Sequence, residues 1–384
     1  MKRRDFLAGA AVTGAAAATL AVAGCDNGTK TADCAPGTAG DTGPASPAIV
    51  TGKRKLKMVT TWQKNFPGLG TSAERVARRI EDATDGQISI KVYAAGELVP
   101  AFECFDAVSA GTADCYNGAE YYWQGKSVGF SFFTAVPFGM TANELTAWMY
   151  HGGGQELWDE LSGRFNLKGF LSANTGVQMG GWFNKQITSL EDLKGLKIRM
   201  PGLGGEVMRR LGAAAVSLPG PDIYQALQTG AINATEWVGP WNDLAQGFYK
   251  VTKHYYWPGF HEPGAALATV FNKDVYESLT KGQQQIVRNV CHTEHDYTLA
   301  EFNQKNAGAL DTLINDHGVK LEKFPDEVFA GMREASAAVL SDVSQESEIA
   351  GRIYESFKEN LENSIRWTRI SEEAYVNMRT ASAG

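Results

Sequence analysis

Apolar and polar positions along this chain repeat with two different periods, and the switches between them mark out elements. Leu56–Trp62 is apolar-rich and β-prone and reads as a first strand. Thr71-Ser72-Ala73-Glu74 has capping-box spacing, which predicts a helix from there to Gly86. Ile88, Ile90 and Val92 fall at every second position of Gln87–Tyr93, so that segment reads as a strand with one buried face. Phe102–Ala110 reads as a helix and Ala113–Asn117 as a strand. This β-α-β-α-β order predicts a parallel sheet covered by helices.

The pattern then recurs. Ser189-Leu190-Glu191-Asp192 starts a short helix that Gly195 ends. Strands are expected at Leu196–Met200, Ala214–Leu218 and Ala231–Trp237, with helices at Gly205–Leu211 and Asp222–Gln228 between them. Beyond Thr280 the chain reads as helical almost throughout. Thr280 and Gln283 form another capping box for a helix reaching about Asp316, and Pro325 opens a last helical region from Asp326. Two α/β sets followed by long helices predict two lobes around a cleft. Ligands of open α/β sheets bind beyond the carboxyl ends of strands, which selects Arg199, Glu236, Trp237, Tyr121 and Tyr122 as candidates. Arg199 is the sharpest of them, because a guanidinium fork matches a carboxylate in two parallel hydrogen bonds. A surface arginine paired with an acidic neighbour fits its position equally well.

Composition narrows the classes. The chain has 384 residues, 43% hydrophobic, with 36 Lys+Arg against 43 Asp+Glu and a net charge of −7. That is too apolar for intrinsic disorder, and the acidic balance argues against nucleic-acid binding. The first residues change the picture further. Lys2, Arg3 and Arg4 precede Asp5-Phe6-Leu7, a run that resembles a twin-arginine export signal. An Ala/Gly-rich stretch follows, too weakly apolar and too short for a confident membrane span. Val22-Ala23-Gly24-Cys25 resembles a bacterial lipobox, so residues 1–24 are expected to be removed and Cys25 to carry a lipid that anchors the chain to a membrane without spanning it. Residues 25–53 are rich in Gly, Ala, Thr and Pro and read as a flexible tether of roughly 30 Å reach. Export implies an oxidising compartment, where a Cys104–Cys115 disulfide is allowed, although spacing alone does not fix its geometry. No C-x-x-C pair supports a zinc ribbon or a redox dithiol.

Several catalytic look-alikes fail on context. Gly125-Lys126-Ser127-Val128-Gly129 matches G-x-S-x-G, but the sequel Phe130–Thr134 reads as extended rather than helical, so a loop is the better reading. A P-loop would need glycine at Glu120. Gly202-Leu203-Gly204-Gly205 lacks the third dinucleotide glycine, since Val207 stands there, and reads as a strand-to-helix turn. His292 and His295 are one residue short of the H-E-x-x-H zinc spacing and read as a solvated helix face. His261 and Glu262, in a turn before Pro263-Gly264, either line a site or shape the loop.

Five stretches together resemble the solute receptors of TRAP transporters: Asn174–Phe183, Ser189–Met200, Gly230–Trp237, Ala95–Pro100 and Tyr121–Lys126. The similarity spans about residues 54–370 and points to the DctP-type subgroup that binds 2-oxo acids or lactate together with a metal ion. The resemblance implies an α/β, two-lobed periplasmic binding protein, class II-like, with long C-terminal helices. Its lobes would comprise residues 54–175 with about 268–304, and residues 176–267 with about 305–384. It implies that Arg199 clamps the substrate carboxylate, that Gln178, Glu236, the backbone of Trp237 and Glu262 hold Na⁺ or Ca²⁺ and substrate oxygens, and that Tyr121 and Trp62 contribute wall and lid. Gln63 stands where the subgroup pattern has proline, which bears on that lid. A hard cation prefers such oxygen donors, and a 2-oxo or 2-hydroxy acid chelates it through two adjacent oxygens.

The implied partners are a small carboxylate and a membrane permease, at an extracytoplasmic, lipid-anchored location. Two alternatives stay open at this point: a periplasmic metal-dependent enzyme on small keto or hydroxy acids, for which no catalytic base is found, and a receptor feeding a sensor. The apolar residues Ile365, Trp367, Ile370, Tyr375, Val376 and Met378 of the tail need cover, from the chain's own lobes or from a second copy in a homodimer.

Overall fold

The computed structural model describes residues 52–381. The twin-arginine run, the lipobox with Cys25 and nearly all of the tether lie outside the described residues. The fold opens with β1 (Arg54–Thr60), whose Leu56, Met58 and Val59 are buried. Helix α1 (Leu69–Ala83) follows, and it starts before Thr71, with Gly68 as its N-cap. Tight packing sets that start: Gly68 has φ 69°, and a Cβ there would meet Phe302 Cζ at 2.5 Å. Next come β2 (Ile88–Tyr93), α2 (Cys104–Ser109) and β3 (Cys115–Gly118). Two 3₁₀ turns, Glu120–Trp123 and Val128–Phe133, lead away from β3. The second corrects the expectation of extended chain after the G-x-S-x-G look-alike. Phe130, Phe132 and Phe133 are all buried in one core cluster, which a two-sided strand there would not allow. Helices α3 (Ala142–His151) and α4 (Gly154–Gly163) then bring the chain to β4 (Leu167–Asn174).

The second α/β set follows the sequence pattern closely: β5 (Gly181–Phe183), β6 (Lys197–Arg199), α5 (Gly202–Arg210), β7 (Ala214–Val216), α6 (Gly220–Gln228) and β8 (Ala234–Thr235). After α7 (Pro240–Gln246) and β9 (His254–Trp257), the chain returns for β10 (Ala266–Asn272) and the short α8 (Lys273–Glu277). One sheet has the order β2-β1-β3-β10-β4; the other takes its last strand, β11 (Lys320–Lys323), into the order β11-β9-β5-β8-β6-β7.

Neither sheet is purely parallel, contrary to expectation. β1 pairs parallel with β2 and β3, but β10 runs antiparallel to both β3 and β4. In the second sheet β6 is parallel to β7 and β8, while β5 is antiparallel to β8 and β9. The cause is a double crossing. The chain leaves the first sheet after β4 and re-enters it through β10, so these neighbours must run in opposite directions. The two crossing segments lie side by side, joined by Thr175 N–H to Ala265 O (3.0 Å), Gln178 N–H to Glu262 O (3.1 Å) and Gly259 N–H to Gln178 O (2.8 Å).

Helix α9 (Lys281–Asn315) has 35 residues, about 50 Å of rise. Its capping box forms as expected, with Thr280 N–H donating to Gln283 Oε1 (3.0 Å) and Gln283 N–H to Thr280 Oγ1 (3.2 Å). It packs on β4 and α1 and further along on α7, so it spans both sheets. Its histidines do not form a solvated face. His295 is buried, bonded to Thr146 Oγ1 and Ala173 O at 2.9 Å, and burial pushes its imidazole down to about 4; His292 lies tilted against the Tyr150 ring. α10 (Asp326–Glu346) packs on α5, and α11 (Glu348–Thr368) folds back along it to reach α3 and α4. α12 (Glu372–Ala381) buries no residue.

Cys104 opens α2 and Cys115 opens β3 as expected, but they form no disulfide. They sit in different core clusters, and both are free and buried, as is Cys291. Burial pushes the Cys104 thiol up to about 12. No helix among the described residues is long and apolar enough to cross a membrane.

Candidate functional site

The parallel pairing of β6 with β8 brings their carboxyl ends together, and Glu236 N–H donates to Arg199 O at 3.1 Å. Arg199 ends β6 and Glu236 follows β8, so both side chains enter the same interior space. Arg199 is fully buried. Its Nη1 donates to Glu236 Oε1 and to the Glu236 carbonyl (3.2 Å), its Nε to Leu218 O (3.1 Å), and its Nη2 to Tyr122 OH (3.4 Å). The guanidinium carbon lies 5.2 Å from the centre of the Trp237 ring. Burial works against this charge, but Glu236 foremost, with Tyr122, Tyr121 and Glu262, more than offsets it and holds the proton tighter than in free arginine.

The crossing segments supply the other polar groups. Glu262 is buried, and its Oε2 has no hydrogen-bond partner. Burial pushes its carboxyl well above the usual range and the negative charge of Glu236 adds to this, while Arg199 and a hydrogen bond from Tyr121 oppose it. Gln178 is buried too; its Nε2 donates to Thr175 Oγ1 at 3.1 Å and its Oε1 is unpartnered. His261, the neighbour of Glu262, places Nε2 3.3 Å from Glu236 Oε2 and leaves Nδ1 unpartnered. One ligand atom each of Glu236, His261 and Glu262 lies within 4.8 Å of the others, close enough to share one cation.

Aromatic rings enclose this cluster. Trp237 packs edge-on against Trp62 (6.2 Å) and Phe66 (6.1 Å), and Tyr122 lies against Trp62 (6.2 Å) and Phe102 (4.8 Å). Trp62 is fixed by its indole N–H donating to Asn117 Oδ1 at 2.7 Å. Gly220 is required at the start of α6, since a Cβ there would lie 2.5 Å from the Trp237 ring.

Two carboxylates and one guanidinium leave the interior one negative charge in excess when both acids are ionised. Such a charge is costly in a low-dielectric site unless paired. The unpartnered, buried Glu262 Oε2 and Gln178 Oε1 are hard oxygen donors of the kind Na⁺ and Ca²⁺ select, so the residues present fit a cation.

Arg199, Gln178, Tyr121, Trp237, Glu236 and Glu262 are therefore brought into one region, as is Trp62. The sequence offered Tyr122 as a strand-end candidate and left His261 between lining a site and shaping a loop; it assigned no role to Thr175 or the Leu218 carbonyl. Tyr122 follows a strand end and His261 adjoins Glu262, so both carried a signal. Thr175 lies in a stretch that already matched the receptors. A backbone carbonyl such as that of Leu218 carries none.

Comparison with known proteins places the whole chain. The family profile for bacterial extracellular solute-binding proteins, family 7, matches residues 58–347. A monocarboxylate 2-oxoacid-binding periplasmic protein of Nostoc sp. (strain PCC 7120) is 37% identical over 382 residues, covering all of both chains. A TRAP transporter solute-binding protein from Bordetella bronchiseptica RB50, a mixed-occupancy dimer with copurified calcium and picolinate, superimposes with a TM-score of 0.85 at 35% identity, over 86% of this chain and 98% of that one. Another from Pseudoalteromonas atlantica T6c, with bound sodium and pyruvate, gives 0.82 at 36% identity, over 85% and 99%. With its two mixed sheets, long C-terminal helices and family match over most of its length, this chain belongs to the DctP family of bacterial extracellular solute-binding proteins.

Proposed function

We propose that this protein is the extracytoplasmic solute receptor of a TRAP transporter. It captures a small monocarboxylate of the 2-oxo acid or lactate type together with Na⁺ or Ca²⁺ and hands it to the membrane permease. The observation that carries the reading is the buried Arg199 beside a buried carboxylate, Glu262, that has an unpaired oxygen. Arg199 would take the acid's carboxylate, with Tyr121 beside it. Glu236, Glu262, Gln178 and the Trp237 backbone would hold the cation. Charge counting favours a divalent ion: with both acids ionised, one arginine and one bound monocarboxylate, Ca²⁺ neutralises the set and Na⁺ leaves one negative charge. The pairing of sodium or calcium with pyruvate or picolinate in similar proteins supports the same chemistry.

The family consists of receptors rather than enzymes. We take the protein to have no catalytic role, and its polar cluster to bind and orient rather than react. The two sheets would belong to the two lobes expected from sequence, residues 54–175 with 268–304 and residues 176–267 with 305–384, closing on ligand about the crossing segments. Residues 1–24 would direct export and Cys25 would carry the lipid that keeps the receptor near its permease. Ile365, Trp367, Ile370 and Tyr375 are each at least 50% exposed, which favours a homodimer that covers them.

A ligand screen by thermal shift, with and without chelator, tests the reading, because a ligand that binds only the native state raises its melting temperature. Pyruvate, lactate or a related acid should stabilise the protein, and chelator in sodium-free buffer should abolish the shift. Stabilisation only by ligands that lack a carboxylate would exclude it.

A further inference from the structure

Glu236 is claimed twice. The receptor reading gives it to the cation, yet its Oε1 accepts from Arg199 Nη1, the group that reading assigns to the acid. Its Oε2 stands 3.3 Å from His261 Nε2. A carboxylate only accepts, so both contacts are donations from protein N–H groups. The three side chains are at most 1% exposed. Of the rest of the Arg199 fork, Nε donates to Leu218 O at 3.1 Å and only Nη2 is weakly used, reaching Tyr122 OH at 3.4 Å. A guanidinium holds an acid best with two parallel donors, and with Nη1 on Glu236 that pair is incomplete.

We propose that the Arg199–Glu236 pair is a switch coupling the two ligands: Arg199 leaves Glu236 for the acid's carboxylate when a cation replaces it there, and His261 holds Glu236 in place through the exchange. The inference rests on the receptor reading above. The direction follows from electrostatics. A buried carboxylate stripped of its partner is strongly unfavourable, so Arg199 is released only as another positive charge arrives. His261 is placed to act as the fixed member. The Phe260 ring packs edge-on against the imidazole at 5.5 Å, and Gly204 lies so close to the base of the side chain that an added Cβ would come within 2.7 Å of His261 Cβ. His261 is thus a positioning residue for Glu236. Cation and acid are then positively coupled, each tightening the other by the same factor.

Calorimetry on the purified, metal-stripped protein tests this by measuring pyruvate affinity at a series of Ca²⁺ concentrations, and Ca²⁺ affinity with and without pyruvate. The natural protein should bind pyruvate roughly 5–150-fold more tightly at saturating Ca²⁺. His261→Leu removes the donor and should bring that factor severalfold closer to one. His261→Gln, which keeps an N–H for the same oxygen, should restore most of it. A merely structural role would lower the melting temperature of His261→Leu and leave the ratio unchanged. A ratio in folded His261→Leu equal to that of the natural protein overturns the proposal. Should the leucine variant not fold, His261→Asn, too short to reach Glu236, takes its place with the same expectations. Pyruvate binding by the natural protein that ignores Ca²⁺ altogether overturns the receptor reading's cation itself, a different outcome from a coupling that survives without His261.

Discussion

Arg199 shows how one residue takes its meaning from its surroundings. On a surface it would be one more ion pair worth little. Fully buried, with one donor on Glu236 and its face on Trp237, it has the setting of the carboxylate clamp we propose. Arg199→Lys keeps the charge and loses the fork, so acid binding should weaken by about 2–3 kcal/mol in calorimetry, whereas near-natural affinity would remove Arg199 from the site. Glu120 makes a different prediction. Burial raises its carboxyl to about 7, against hydrogen bonds from Tyr116 and Trp158. Between about pH 4.5 and 7 the native chain keeps a proton that the unfolded chain has lost, so this group's contribution to stability falls as pH rises through that window. Glu120→Gln has no proton to lose, so the melting-temperature advantage of the natural protein over the variant should shrink from pH 5 to pH 8. A constant or widening gap would contradict the assignment. At this scale the sequence was informative where a residue ends a strand, as for Arg199 and Glu236. It was silent where tertiary packing decides, as for the contact of His261 with Glu236 and for His295, which the helix pattern placed in solvent.

Among the elements, the second α/β set was read almost in full because each strand is bounded by a turn signal and each helix by a cap. The strands β4 and β10 went unread. All seven residues of β10 are buried, so no alternation marks it, and its antiparallel placement depends on a crossing that only the folded chain reveals. That crossing carries Gln178 and Glu262, which were legible through the family's sequence pattern rather than through local periodicity. The tail divides in two. Phe357 in α11 is buried against Phe132 and Trp148, with ring centres 5.3 Å apart in both pairs. Phe357→Ala should therefore cost about 3–5 kcal/mol in denaturant unfolding. Removing residues 370–384, where α12 buries nothing, should leave the melting temperature of the monomer unit nearly unchanged. A large loss of stability there would show that α12 covers its own chain.

For the molecule as a whole, the crossing segments and the long α9 are what join the two sheets, and Trp62 and Tyr122, which follow strands of the first sheet, already lie against Trp237 and Arg199 of the second. The exposed tail predicts a dimer in light scattering of the chain lacking residues 1–52, converted to monomer by removing residues 370–384; a monomer at micromolar concentration before truncation would rule out a stable partner. The central claim, however, is that an acid and a cation are held together. Titrating pyruvate calorimetrically into verified metal-free protein, and again with Ca²⁺ restored, tests it most directly. The account predicts weak or no binding in the first titration and tight binding in the second; equal affinity in both would leave Glu236, Glu262 and Gln178 without their proposed role and contradict it.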